Sequence, residues 1–306
     1  MKKILIDTDI GDDIDDIFAL TYLFSRQDAD ILGVTTVWGD TGKRAACANV
    51  IANAKKRPVP IFKGEEYNLD GTKRATEIKG YMDFAKGGSL DADFGKGRDD
   101  AVDFIYRTIK ENPHSVTLIA IGPLTNIAYL FTKYPDAPSL LTELAIMGGA
   151  YFENSRCTWD IRVEWNFKCD PHAAKIVLEA PVRKISIYGV DLTWDYQLPR
   201  FEAAELLGSS PENAVQKSFA ENVYRGDPIW FHDPLTCVLT FESSFGEFLK
   251  GTVEIEIEDK ELLGKSTFSR NKNGNCFICT NLTVTKEEFY KHYADVVNKQ
   301  YITDMS

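Results

Sequence analysis

Short apolar runs alternate with longer amphipathic stretches along this chain, and most of the apolar runs end in a polar cluster. Ile4-Leu5-Ile6 is the first run, of the length and type of a buried strand. IFALTYLF (17–24), entered from Asp15 and Asp16, has the apolar positions of a buried helix. The alternation continues as strand 30–37, helix 42–56 and a short strand in VPIF, bracketed by the prolines at 58 and 60. Helix 99–111, strand 115–122, helix 124–133 behind Pro123, and strand 143–148 follow. Asp170-Pro171 opens helix 171–179, and RKISIYGVDLT supplies strand 183–190. The segment 199–241 reads as mostly helical, interrupted at Arg225–Pro228. TVEIEIED (252–259) alternates as a strand with one exposed face, CFICTNLTV is a second late strand, and KEEFYKHYADVVNK closes the chain as a helix. Residues 64–98 and 150–168 carry no periodicity; loops beyond about 12–15 residues are usually functional or disordered.

Strands alternating with helices predict an α/β fold with a mostly parallel central sheet and helices on both faces. No repeat or linker divides the chain, so residues 1–306 read as a single domain. Sheets of this kind bind ligands at the carboxyl ends of their strands. The clusters Asp7–Asp16, Trp38–Asp40, Gly122–Asn126 and Gly148–Asn154 each follow a predicted strand, and are expected to converge on one edge.

The first cluster carries the most specific chemistry. Asp7, Asp9, Asp12, Asp13, Asp15 and Asp16 place six carboxylates in ten residues, with Gly11 among them. A helix cap uses one or two aspartates, not six. A hard divalent cation explains the density better, since calcium takes about 6–8 oxygen ligands and magnesium about six.

Bulk composition narrows the partners. Hydrophobic residues at 44% and charged residues at 26% are ordinary for a soluble globular protein. A formal charge of -11 argues against a sequence-independent hold on nucleic acid, which needs basic surface. No segment approaches the roughly 20 apolar residues of a membrane span, and the three apolar residues before Asp7 are too few for a signal peptide. Cys276 and Cys279 form one CxxC without the second pair that a zinc site wants. The six scattered cysteines read as reduced core residues of a cytoplasmic protein.

Several of the polar clusters together resemble the inosine-uridine nucleoside hydrolase family. Asp7-Thr8-Asp9-Ile10-Gly11 followed by Asp15-Asp16 is similar to the family's DxDxGxDD opening, and AIGPLTNIA (120–128) to its GPLTNIA turn. MGGAY (147–151), Glu164-Trp165-Asn166 with Asp170-Pro171, and His232-Asp233-Pro234 match three further landmarks in family order. The resemblance implies a calcium-dependent N-ribohydrolase that splits a nucleoside into ribose and base, with a calcium-bound water as nucleophile. It implies Asp9, Asp16, Asp233 and the backbone carbonyl of Ile121 as metal ligands, and Asp15 as general base. Asn166, Glu164 and Asn154 would hold the ribose hydroxyls, with Asp40 in the place of a family substrate contact. Relatives of this type are commonly dimers or tetramers, so a homo-oligomer is expected.

The chemistry agrees with that assignment. Cleaving an N-glycosidic bond builds positive charge on the sugar, which clustered carboxylates stabilise. The leaving base wants a proton or hydrogen bond, and His232, beside a metal ligand, is the candidate donor. Trp230, Trp165 and Tyr224 are candidates to stack on the base. No Walker loop or Arg/Lys clamp appears, which favours a nucleoside over a nucleotide.

Three departures from the family pattern matter. Gly11 stands two residues further from Asp15-Asp16 than GxDD allows, and Asp12-Asp13 fill the gap, so Asp13 is an alternative base or ligand. Asp40 stands where the family has Asn, and an ionised carboxylate cannot donate. Ile78-Lys79-Gly80 stands where many members have His-Gly. A rival reading is a haloacid-dehalogenase-like phosphatase, in which Asp7 and Asp9 would form the DxD pair. Another is a relative that binds ribose or nucleoside without catalysis.

Overall fold

The computed structural model describes residues 1–72, 84, 93–152 and 163–299. Its sheet is built around β1 (Lys2–Thr8), which pairs in parallel with β2 (Ala29–Thr36) on one side and β4 (Val116–Ala120) on the other. Beyond β2 lies β3 (Ile61–Lys63); beyond β4 lie β5 (Glu143–Met147) and β6 (Ile185–Tyr188), all parallel. β11 (Cys276–Leu282) continues in parallel from β6, and β9 (Gly246–Ile255) and β10 (Ser266–Arg270) finish that edge antiparallel. The order is β10-β9-β11-β6-β5-β4-β1-β2-β3. The winding reverses between β1 and β4, and a reversal of this kind opens a crevice at the carboxyl ends of the two strands.

β1 shows why the sequence behaves this way. A strand covered on both faces sends successive side chains to opposite cores. Ile4 and Ile6 enter one apolar cluster and Leu5 the other. The first cluster is shared with α1 (Asp15–Ser25), α2 (Thr41–Ala54), α10 (His232–Phe241) and α11 (Lys286–Val297). The second holds α3 (Arg98–Glu111), α4 (Thr125–Lys133) and α6 (Pro171–Glu179). The predicted α/β architecture, with helices on both faces of a mostly parallel sheet, is therefore present. None of the described helices is long and apolar enough to cross a membrane.

The differences lie where periodicity is weak. β10 reads STFSR, with one apolar residue in five, and gave no strand signal. β9 begins at Gly246 rather than 252. A five-residue helix, α5 (Trp165–Cys169), lies inside the stretch read as irregular and is too short to show a repeat. The segment 199–241 contains α8 (Arg200–Leu206), α9 (Ala214–Asn222) and α10, and its connection to β6 includes a one-turn helix, α7 (Val190–Thr193). A small ladder pairs β7 (Gln197–Leu198) with β8 (Ile229–Trp230).

Buried Asn126, at the start of α4, ties the strand ends together. Its Nδ2 donates to Asp7 Oδ1 at 2.8 Å and to the Thr36 carbonyl at 3.1 Å, while its Oδ1 accepts from the Glu65 N–H at 2.8 Å. Asp7 is fully buried, and Thr35 Oγ1 is its other donor, at 2.6 Å. Asn126→Ala strips one donor from a buried carboxylate and leaves the Glu65 N–H without its acceptor. It should cost about 2–3 kcal/mol in urea denaturation; a loss under about 0.5 kcal/mol would show that water replaces these bonds.

Candidate active site

The crevice at the β1–β4 reversal opens into a cavity of about 550 Å³. β1 delivers Asp9 to it just past Thr8, and α1 delivers Asp15 and Asp16 on its first turn. α10 adds His232 and Asp233, and the turn after β4 adds Ile121. Glu164 and Asn166 come from the start of α5. Carboxylate oxygens of Asp15, Asp16 and Asp233 lie within 4.8 Å of one another, and all three residues are buried. Asp9 lines the same cavity but stands outside that trio.

The approach of β4 to Asp9 requires a glycine. A Cβ on Gly122 would lie 2.8 Å from Asp9 Oδ1 and 2.9 Å from the Asp9 backbone nitrogen. The backbone atom cannot rotate away, so any larger residue would displace the carboxylate.

Burial without compensation sets the electrostatics. Desolvation pushes Asp15, Asp16 and Asp233 well above the usual carboxylate range, and repulsion from neighbouring carboxylates, Asp9 and Asp13 among them, adds to it. Desolvation also raises Asp9 to about 7, even with Arg44 nearby pulling the other way. Thr8 Oγ1 donates to Asp16, a small offset. A site that leaves this many oxygens together is suited to a divalent cation, whose charge cancels the repulsion and whose coordination uses the lone pairs. The donor set is all oxygen, which fits a hard ion and not a thiolate-seeking one.

The cavity also has an apolar and aromatic lining. Trp165, Trp194, Met147, Val163 and Val190 line it, and Lys168 stands with them. Trp165 is 51% exposed and meets Trp38 edge-on, with ring centroids 5.7 Å apart. His232 Nδ1 shares a hydrogen bond with Thr193 Oγ1 at 2.6 Å. Its ring lies parallel to Trp230 at 6.5 Å and near Trp194 at 6.3 Å. Burial among these groups pushes the imidazole down to about 4, so the ring is neutral at pH 7 and stays so well into the acid range.

Glu164 caps α5. Its Oε1 accepts from the Asn166 N–H at 2.7 Å, and its Oε2 from Gly149 and Phe167 at 2.9 and 3.1 Å. Asn166 Nδ2 donates to the Met147 carbonyl at 3.1 Å, which joins α5 to the end of β5. The structure thus brings Asp9, Asp15, Asp16, Ile121, Glu164, Asn166, His232 and Asp233 to one cavity. Asp40 is placed elsewhere. Its Oδ1 accepts from the Lys43 N–H at 3.1 Å and its Oδ2 pairs with Lys43 Nζ at 2.7 Å, capping α2 outside the cavity lining. Asn154 and Lys79 lie outside the described residues. Of the aromatic candidates, Trp165 faces the cavity, Trp230 backs His232, and Tyr224 donates to Asp13 Oδ1 at 2.6 Å. Trp194 was missed in the sequence, although it closely follows a strand end, where the same rule that flagged the other clusters points.

Residues 4–291 match the family described as inosine-uridine preferring nucleoside hydrolase. The chain belongs to that family. It is accordingly a hydrolase acting on N-glycosyl bonds. Probable uridine nucleosidase 2 of Oryza sativa subsp. japonica is 27% identical over 276 residues, covering 84% of this chain and 79% of that protein. The pyrimidine-specific ribonucleoside hydrolase RihA of Salmonella arizonae is 25% identical, covering 85% and 86%. Among solved structures, a plant nucleoside hydrolase, the PpNRh1 enzyme, superposes with a TM-score of 0.80 at 23% identity, covering 98% of this chain and 99% of its own. That likeness agrees with the fold described above. The resemblance read from the five sequence landmarks is borne out across nearly the whole chain.

The carboxylates give a sign for pH dependence. In metal-free protein, Asp7 and Asp9 hold protons up to about pH 7, while the unfolded chain releases them near 3.8, the ordinary value for aspartate. The folded state therefore binds more protons across the window from about pH 4 to 7, and stability falls as pH rises through it. In chelator, Tm should rise as pH is lowered from 8 to 6. A divalent cation that fills the site should raise Tm most at pH 8 and flatten the trend. A metal-free Tm that instead rises with pH would contradict this electrostatic picture.

Proposed function

We propose that this enzyme hydrolyses ribonucleosides to ribose and free base at the described cavity, with calcium as its metal. The observation that carries the reading is the trio Asp15, Asp16 and Asp233, buried within 4.8 Å of one another and sharing a cavity with Glu164 and Asn166. Asp9, Asp16, Asp233 and the carbonyl of Ile121 would hold the ion. When bound, calcium supplies a positive centre with room for water and ribose oxygens beside the protein ligands.

The chain's own residues do the rest. Glu164 and Asn166 face the ribose hydroxyls from α5, and Trp165 and Trp194 offer apolar surface to the base. The carboxylates stabilise the positive charge that grows on the sugar as the bond to the base lengthens. Asp15 takes a proton from the attacking water. Asp9, which lines the same cavity but stands outside the trio, is the second carboxylate suited to that step. His232, neutral in its pocket, serves the departing base as a hydrogen-bond donor from Nε2 when Thr193 donates to Nδ1. Its five described cysteines are buried thiols, which fits the cytoplasm as its compartment. Uridine is the first substrate to examine, since two of the relatives carry uridine or pyrimidine in their names.

The test is release of base from a panel of purine and pyrimidine ribonucleosides, in chelator and after calcium is restored. Turnover should stop in chelator and return with calcium. No release from any nucleoside, with ribose still raising Tm, would leave a binding protein and remove the catalytic reading. Asp15→Asn should lower kcat by roughly 10²–10⁴-fold, the range for a general base, with ribose still bound. A near-normal kcat in Asp15→Asn, with that loss in Asp9→Asn at saturating calcium, would move the base role to Asp9. His232→Ala should slow nucleosides more than p-nitrophenyl riboside, whose leaving group needs no help; equal losses would exclude a leaving-group role.

A further inference from the structure

Arg44 is a fully buried guanidinium set against the most acidic loop of the molecule, and its hydrogen bonds go to backbone carbonyls and to Asp12 rather than to the carboxylates of the trio. Its Nε donates to the Trp38 carbonyl at 2.6 Å. Its Nη1 donates to the backbone carbonyls of Asp9 and Ile10, the latter at 3.1 Å. Its Nη2 pairs with Asp12 Oδ2 at 2.6 Å. One side chain from α2 therefore gathers three carbonyls and a carboxylate from two post-strand loops.

We infer that Arg44 is the positioning residue that shapes the β1–α1 loop for cation binding, with Asp12 as its partner. This rests on the reading that the cavity carboxylates hold calcium. A run of carboxylates repels itself, and without a cation it would spread. Arg44 restrains the loop through backbone carbonyls, which fixes the Asp9 main chain and leaves the Asp9 side chain to face the cavity. Had the guanidinium paired with that side chain, it would compete with the ion.

The two residues that lengthen this loop relative to GxDD acquire roles here. Asp12 is Arg44's partner, and Asp13 Oδ1 accepts from the Ile14 N–H and from the Tyr224 hydroxyl, each at 2.6 Å. The second loop is held as firmly. Trp38 adopts a φ of +68°, a costly conformation for a bulky residue. Its N–H donates to the Glu65 carbonyl at 2.6 Å while its carbonyl takes Arg44. Trp38 meets the cavity-lining Trp165 edge-on, so the same guanidinium holds both the Asp9 backbone and the residue behind that ring. Lysine cannot replace it, because an ammonium donates from one point and cannot span four separated acceptors.

The experiment is calcium titration of chelator-treated protein by calorimetry, with Tm in chelator and steady-state kinetics measured alongside. Arg44→Lys and Arg44→Gln should weaken calcium by roughly 10–100-fold, the range for residues that orient metal ligands, and should raise KM. Asp12→Ala removes a part-exposed partner, is the variant to rely on if the Arg44 variants do not fold, and should weaken calcium in the same direction. Added to Arg44→Lys it should bring little further loss. Wild-type calcium affinity in Arg44→Lys or Asp12→Ala, with only Tm lowered, would overturn the inference and leave Arg44 a packing residue. Failure of the wild-type protein itself to bind calcium would instead sink the metal reading beneath it.

Discussion

The structure depends on one costly act: burying several carboxylates at the same end of one sheet. Asp9, Asp15, Asp16 and Asp233 are each less than a tenth exposed, and desolvation and repulsion oppose their ionisation together. Such a cluster survives only where the scaffold leaves it no room to relax. β1 is fixed between two parallel neighbours, Gly122 allows β4 to close on Asp9, and Arg44 holds the loop backbone. A divalent cation bound among these oxygens would offset both their desolvation and their repulsion.

The cavity lining combines a group of carboxylates with the rings of Trp165 and Trp194, the two kinds of surface that a molecule made of a hydroxylated sugar and a flat ring needs. His232 packs beside Trp194 and Trp230 and bonds Thr193, while its sequence neighbour, Asp233, sits with Asp15 and Asp16. Burial in that setting keeps its ring neutral at pH 7.

Much of this was legible in the sequence because the fold rule is geometric. A polar cluster that directly follows a buried parallel strand has to reach the same edge as its fellows, and Asp9, Asp15 and Asp16 were visible on that ground, whereas the Ile121 carbonyl entered through the resemblance. Glu164, Asn166, His232 and Asp233 became visible only through the resemblance, since they follow no strand directly. Asp40 satisfied the same rule and yet caps α2, because Asp after a strand serves a helix start as readily as a ligand. Arg44 was invisible, since a lone arginine in an alanine-rich helix gives no hint of burial. β10 escaped for the opposite reason to β1: an edge strand with one apolar residue has no pattern to read.

The most direct measurement is a crystal structure of the protein grown with calcium and ribose. The account expects a single ion with oxygens of Asp9, Asp16, Asp233 and the Ile121 carbonyl at about 2.3–2.6 Å. It also expects ribose hydroxyls between that ion and Glu164 and Asn166. An ion bound elsewhere, or ribose seated in this cavity beside unmetallated carboxylates, would contradict it.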